Sequence, residues 1–178
     1  MLFGVVFCIY FKIAIVKYIY FRKSTGRPSM KNILETAIDI GNFNTLIDAI
    51  KIAKLEDFLN GPGPFTFLAP QDSAFATLPE LAVDELLKDK SKLEEILKFH
   101  VVSGKYELSE LRKLSEMQND NNKIKTMLGK ELKITSTILC FCSVDLETVK
   151  FENAVLIRPD INCSNGIFHT IDKVLLPK

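Results

Sequence analysis

His100 and His169 are the chain's two histidines, and with Asp72 and Ser103 they would supply a base, an orienting carboxylate and a nucleophile. The corresponding chemistry is acyl transfer by a Ser-His-Asp set. That reading lacks its usual scaffold, because no Gly-x-Ser-x-Gly elbow is present. Cys140, Cys142, Cys163 and His169 make an acceptable number of zinc ligands, yet their spacing is that of neither a zinc ribbon nor a finger. Gly61 and Gly63 lie among prolines without the third glycine and following helix that a dinucleotide site needs. The plainer reading makes the histidines hydrogen-bonded core residues and the cysteines buried packing. On this reading the chain is not an enzyme and carries no catalytic, metal or cofactor-binding residue.

The 178 residues are enough for one domain, and an apolar fraction of 47% supports a real core. Lys and Arg number 23 against 22 Asp and Glu, a balance that gives no support to a nucleic-acid partner. The apolar residues are concentrated in positions 1–21, which are interrupted by Lys12 and Lys17 and followed by Arg22, Lys23, Arg27 and Lys31. This leader reads in two ways: as a membrane segment, or as translated upstream sequence with Met30 as the true start. Membrane contact is expected only through residues 1–21. The division falls at 1–29 and 30–178, with Gly26, Arg27, Pro28 and Ser29 as linker. A chain that starts at Met30 would be cytoplasmic, and the charges after a membrane segment would also hold the main domain in the cytoplasm. Cys140, Cys142 and Cys163 are an odd set, so at least one thiol stays free and no disulfide framework is expected.

The elements that must position these residues are helical first. Ile33, Leu34, Ala37 and Ile38, then Phe43, Leu46, Ile47, Ile50 and Ala53, recur at helical spacing. Gly41 and Asn42 should end the first helix and cap the second. Phe65 to Leu68 reads as a buried strand bracketed by Pro64 and Pro70, with Asp72 or Ser73 capping a short helix through Phe75. Helical runs are expected at 83–87 and at 93–99, the second opening after Ser91, and a further turn at Leu108, Leu111 and Leu114. The period then changes. Strands are expected at 123–127, 131–136, 138–144, 149–152, 154–157 and 167–176, with a turn at Leu128, Gly129 and Lys130. Helices mostly precede strands, so the class is α+β.

Three stretches carry a family pattern: Gly63 to Phe75 (GPFTFLAPQDSAF), Leu97 to Tyr106 (LKFHVVSGKY) and Asn165 to Pro177 (NGIFHTIDKVLLP). In this order and at these separations they resemble the signatures of the fasciclin domain, over about residues 31–178. The resemblance implies a wedge-shaped β-sandwich with N-terminal and flanking helices, the last strand returning beside the early ones. Thr66, Pro70, Asp72, Phe75, Asn165, Gly166 and His169 are its structural signature. Phe99 departs from the family, which usually has Tyr before the histidine, and the cysteine-bearing run at 138–143 is not typical.

The resemblance also implies a non-catalytic adhesion or protein-interaction module, membrane-anchored or extracellular, whose partner is another protein or a cell-surface receptor. In animal matrix members a Pro-Asp-Ile core just before the last signature is implicated in integrin binding, and Pro159, Asp160 and Ile161 match it, with Arg158 and Asn162 departing on either side. An exposed carboxylate there suits a receptor-bound cation. Phe99, His100 and Tyr106 form a second surface that the resemblance suggests. The alternatives are a small-molecule or glycan binder, which predicts an apolar pocket with converging polar groups, and a metal-dependent or Ser/His enzyme, which predicts a histidine exposed in a cleft.

Overall fold

The structure, a computed structural model, describes residues 30–78, 89–117, 122–141 and 144–177. The leader, the helical run expected at 83–87 and Cys142 lie outside the described residues.

The N-terminal helices follow the sequence pattern closely. Helix α1 (Ile33–Ile40) opens with a capping box in which Asn32 and Glu35 satisfy each other's backbone N–H groups, and it stops at Gly41, whose φ of 80° suits a residue without a β-carbon. Helix α2 (Asn44–Ala53) buries Leu46, Ile47, Ala49, Ile50 and Ala53, and α3 (Glu56–Asn60) buries Leu59. Asn42 does not cap α2. The residue preceding that helix is Phe43, which makes no side-chain cap. The cap is supplied instead from the far side of strand β1 (Phe65–Pro70), by Asp72.

Asp72 is the first residue of α4 (Asp72–Phe75), so its carboxylate is not that helix's own cap. It accepts the N–H groups of Thr45 at 2.9 Å and Asn44 at 3.2 Å, and the Asn44 side-chain amide at 3.2 Å. Its own N–H returns a bond to the Asn42 carbonyl at 3.1 Å. Partial burial pushes this carboxyl up, but the Thr45 and Asn44 N–H groups outweigh it and hold the pKa below the usual carboxylate value. Removing an anion from a helix N-terminus costs cap and dipole energy together. Asp72→Ala is expected to lower stability by about 2 kcal/mol in urea unfolding, with Asp72→Asn recovering part of it. A change within experimental error would mean that the cap is redundant.

Helix α5 (Lys90–Phe99) is capped by Asp89, which accepts the Lys92 N–H, so it begins one residue before Ser91 rather than after it. Strand β2 (Val101–Ser103) follows, then α6 (Leu108–Glu116), which buries Leu111.

The second half is β3 (Lys123–Lys125), β4 (Glu131–Phe141), β5 (Val144–Phe151), β6 (Ala154–Cys163) and β7 (Gly166–Ile171). Three expectations are corrected. The strands expected at 131–136 and 138–144 are one strand to Phe141, because nothing between Ser136 and Ile138 breaks an extended backbone. Strand β6 does not stop at 157 but runs on through Pro159, which β-bulges accommodate. Strand β7 ends at Ile171, and residues 172–177 leave the sheet.

The seven strands form one mixed sheet in the order β2-β1-β7-β6-β5-β4-β3, in which β1 and β7 are parallel and the other pairs antiparallel. Its two ends meet. Val102 bridges Thr126, and the Met127 N–H bonds the Val101 carbonyl at 2.7 Å, so the wedge is nearly a closed barrel. One core lies between the N-terminal helices, α5 and the β1–β7 pair, with Phe168 edge-on to Phe43 at 5.1 Å between ring centres. A second gathers Leu111, Leu132, Ile134, Val149, Phe151 and Leu156.

Candidate functional site

The β6 bulge is the place where the sheet departs furthest from regular pairing. The register with β7 shifts between Leu156 and Arg158 and again between Arg158 and Ile161. Pro159 has no N–H to give the ladder, and Asp160 adopts φ 58°, a left-handed conformation that aspartate tolerates better than most side chains. Asp160 is exposed and Ile161 half-buried against the first core. Asp160 belongs to a strand, and its carboxylate Oδ1 accepts the Leu108 N–H at 2.8 Å, at the start of α6.

His169 fixes the bulge from below. Its Nδ1 accepts the Asp160 N–H at 3.1 Å, which leaves Nε2 to donate to the Tyr106 carbonyl at 2.8 Å. The Tyr106 N–H bonds the Thr66 hydroxyl at 2.9 Å, and that hydroxyl donates to the Gly104 carbonyl at 2.8 Å. Thr66, His169 and Asp160 therefore hold the connection from Gly104 to Leu108 against the sheet. This is a structural chain running from the first signature to the last.

His100 is built in the mirror sense. Nδ1 donates to the Ile96 carbonyl at 2.8 Å, and Nε2 accepts the Leu175 N–H at 3.0 Å. Burial pushes its pKa down to about 4 against the smaller upward pull of the Ile96 carbonyl. Burial also lowers His169, opposed by the Tyr106 carbonyl and by Asp160. At neutral pH both rings are neutral with both nitrogens committed, so neither has a lone pair for a metal or for proton transfer.

Phe99 and His100 are 2% and 1% exposed, which removes them from the expected second surface; Tyr106, half-buried, stays at its margin. They are buried because α5 runs straight into β2 and its last turn faces the core. Asn165 ties three segments together. Its side chain accepts the Ile33 N–H at 3.0 Å and donates to the Leu59 carbonyl at 2.6 Å, while its carbonyl accepts the Phe65 N–H at 3.1 Å. Pro70 is buried at the end of β1, and Phe75 is half-buried beside the first core. The Cys163 thiol meets the Thr36 hydroxyl at 3.3 Å, and burial pushes its pKa up, so it is not a reactive thiolate.

The fasciclin domain pattern matches residues 41–177. The chain belongs to the fasciclin domain family. Protein sll1735 of Synechocystis sp. is 38% identical over 147 residues, covering 83% of this chain and 98% of that protein. Transforming growth factor-beta-induced protein ig-h3 of Sus scrofa is 32% identical over 84% of this chain, which spans 20% of that longer protein. A FAS1 domain pair from the insect cell adhesion molecule fasciclin I superposes with a TM-score of 0.64 at 22% identity, over 83% of this chain and 51% of that one. This likeness shows the fold. In this fasciclin domain the signature residues Thr66, Asp72, Asn165 and His169 each bond backbone groups of other segments, which makes them fold-closing residues.

A glycan or small-molecule site would need polar groups converging in a pocket. The depression between α2 and α5 is lined by Leu46, Ala49, Leu93, Ile96 and Val174, and His100 in its floor has both nitrogens occupied. The sequence reading missed the Thr66–Tyr106–His169 chain, because its members are brought together only when β1 and β7 pair.

Proposed function

We propose that this fasciclin domain is a non-catalytic adhesion or protein-interaction module whose contact point is the Pro159–Asp160–Ile161 bulge. The observation that carries this reading is the bulge itself. It is an exposed aspartate in a left-handed conformation, anchored through its N–H by His169 and through one carboxylate oxygen by Leu108. A carboxylate held this way loses little conformational entropy on binding, and its oxygens are hard ligands suited to a cation carried by a receptor. Membership of the fasciclin domain family, shared with transforming growth factor-beta-induced protein ig-h3, supports the same reading. Residues 1–29 are proposed as a separate leader, outside the 30–178 domain; N-terminal sequencing of the native protein and its sedimentation with membranes test that division.

Asp160→Asn is the discriminating variant. Asparagine also tolerates positive φ and keeps an oxygen for the Leu108 N–H, so the bulge survives while the charge is lost. Cells attaching to the immobilised protein in divalent cation are expected to detach in EDTA, and Asp160→Asn is expected to weaken attachment roughly thirtyfold, a hot-spot-sized loss. Attachment equal to the unsubstituted protein, at unchanged melting temperature, would move the contact point elsewhere.

A further inference from the structure

Asn162, Cys163 and Ser164 form an Asn-x-Ser triplet without proline at its centre. Asn162 is the one asparagine of the chain with Ser or Thr two residues on. This is the acceptor pattern for N-linked glycosylation, whose product is bulky and has to stay on the surface. Such triplets arise by chance in many chains, and what distinguishes this one is its place in the fold.

Alternation at the end of β6 turns Cys163 inward, with its thiol against the Thr36 hydroxyl at 3.3 Å, and leaves Asn162 and Ser164 exposed on either side of it. The ladder with β7 is regular here, Asn162 lying opposite Ile167 and Cys163 opposite Gly166, so the acceptor stands on a fixed backbone. Ser164 is held by its backbone N–H, which donates to the Lys31 carbonyl at 2.9 Å. Among the described residues, neither the Asn162 side-chain amide nor the Ser164 hydroxyl bonds a partner. Asn165, three residues on, is the contrast, because its amide is committed to Ile33, Leu59 and Gly61. A glycan on Asn162 therefore breaks no hydrogen bond among these residues and displaces nothing from the core.

We propose that Asn162 is an N-glycosylation site and that its glycan screens the Asp160 contact point. The donor is an oligosaccharide carried on a lipid pyrophosphate. The Asn162 Nδ2 attacks the anomeric carbon, an N–C bond forms, the C–O bond to the pyrophosphate breaks, and the lipid pyrophosphate leaves with the electron pair while the amide proton passes to the transferase. Asp160 and Asn162 are both exposed and two residues apart, about 7 Å along a strand. Sugars rooted at Asn162 crowd the approach to the Asp160 carboxylate, so the modification sets how readily a receptor reaches it. The inference rests on the adhesion reading, which takes the domain out of the cytoplasm.

The full chain, expressed with its own leader in cultured animal cells, tests it. Protein recovered from the cell surface or the medium is expected to lose mass on treatment with peptide N-glycosidase, with Asn162 converted to Asp in the peptide map. Asn162→Gln and Ser164→Ala are each expected to abolish the modification, the second without touching the acceptor, and Ser164→Thr is expected to keep it. Cell attachment to either unmodified variant is expected to be several-fold stronger than to the glycosylated parent, at equal melting temperature. Protein found outside the cell with Asn162 bare would overturn the site and leave the adhesion reading standing. Bare protein confined to the cytoplasm would overturn both. A glycan on Asn162 whose loss leaves attachment unchanged would overturn the screening, and if Asp160→Asn in the unglycosylated background also changes nothing, the contact point itself is misplaced.

Discussion

Gly166→Ala is expected to leave the chain unable to reach its native state. Gly166 opens β7 opposite Phe65, the first residue of β1. A β-carbon at Gly166 would overlap the Phe65 carbonyl oxygen and crowd that residue's backbone nitrogen and carbon. None of these atoms belongs to a side chain that could rotate away. Relief requires β1 and β7 to separate where their ladder begins, and Phe65 to Ile171 is the seam between the two halves of the molecule. The cost exceeds ordinary overpacking and is expected to be at least about 3 kcal/mol. Gly63→Ala approaches the same seam from the other strand, since a β-carbon there would overlap the Asn165 carbonyl oxygen. Either variant is expected to lack a cooperative thermal transition in far-ultraviolet circular dichroism. Gly129→Ala is the control, because a β-carbon there meets nothing within 4 Å and only the φ of 87° is strained. A cooperative melt of Gly166→Ala within a few degrees of the parent would show that the seam can open without consequence.

The second large effect is acid lability centred on His100. Its folded pKa of about 4 lies below the unfolded value of 6.5. Between these values the unfolded chain binds a proton that the folded chain refuses, so stability is fully present above pH 6.5 and drains away as pH falls toward 4. The loss is roughly 3 kcal/mol. His169 is depressed in the same direction by burial and adds to the loss with the same sign. The geometry explains the refusal, since a proton on His100 Nε2 would face the Leu175 N–H, a donor against a donor. Urea unfolding at stepped pH checks this. In His100→Gln the slope over this window is expected to shrink, even though the variant is less stable throughout. An unchanged slope would place the acid sensitivity in other groups.

The residues legible in advance were those whose effect is local. Pro64 does precede β1 and Pro70 is its last residue, Gly41 does stop α1, and Gly129 sits in the tight turn before β4 at φ 87°. Less legible was anything decided across the sheet. Asp72 reads as a helix cap, and it is one, but for a helix that begins 28 residues earlier, a target no sequence window contains. Pro159 reads as a strand end because proline gives up its N–H; β6 continues past it only because bulges reset the register against β7. Phe99 and His100 enter the second surface only through the family resemblance; the last turn of α5 faces the core and buries both. The family signature was legible as a pattern. Its physical content emerged only once Thr66, Tyr106 and His169 met at the seam.

The parallel pairing of β1 with β7 has a consequence for how the molecule is made. Phe65 waits for Gly166 and Pro70 for Ile171, so β1 gains its second neighbour only when about a hundred further residues have followed it. Contacts of such sequence separation raise contact order and slow folding. A ribosome adds residues at about 5–20 per second. For several seconds, therefore, the nascent chain holds Phe67 and Leu68 on a strand with one open edge. Stalling or truncation in that interval would release an adhesive, half-paired sheet, while completion through Ile171 closes it in a single late step.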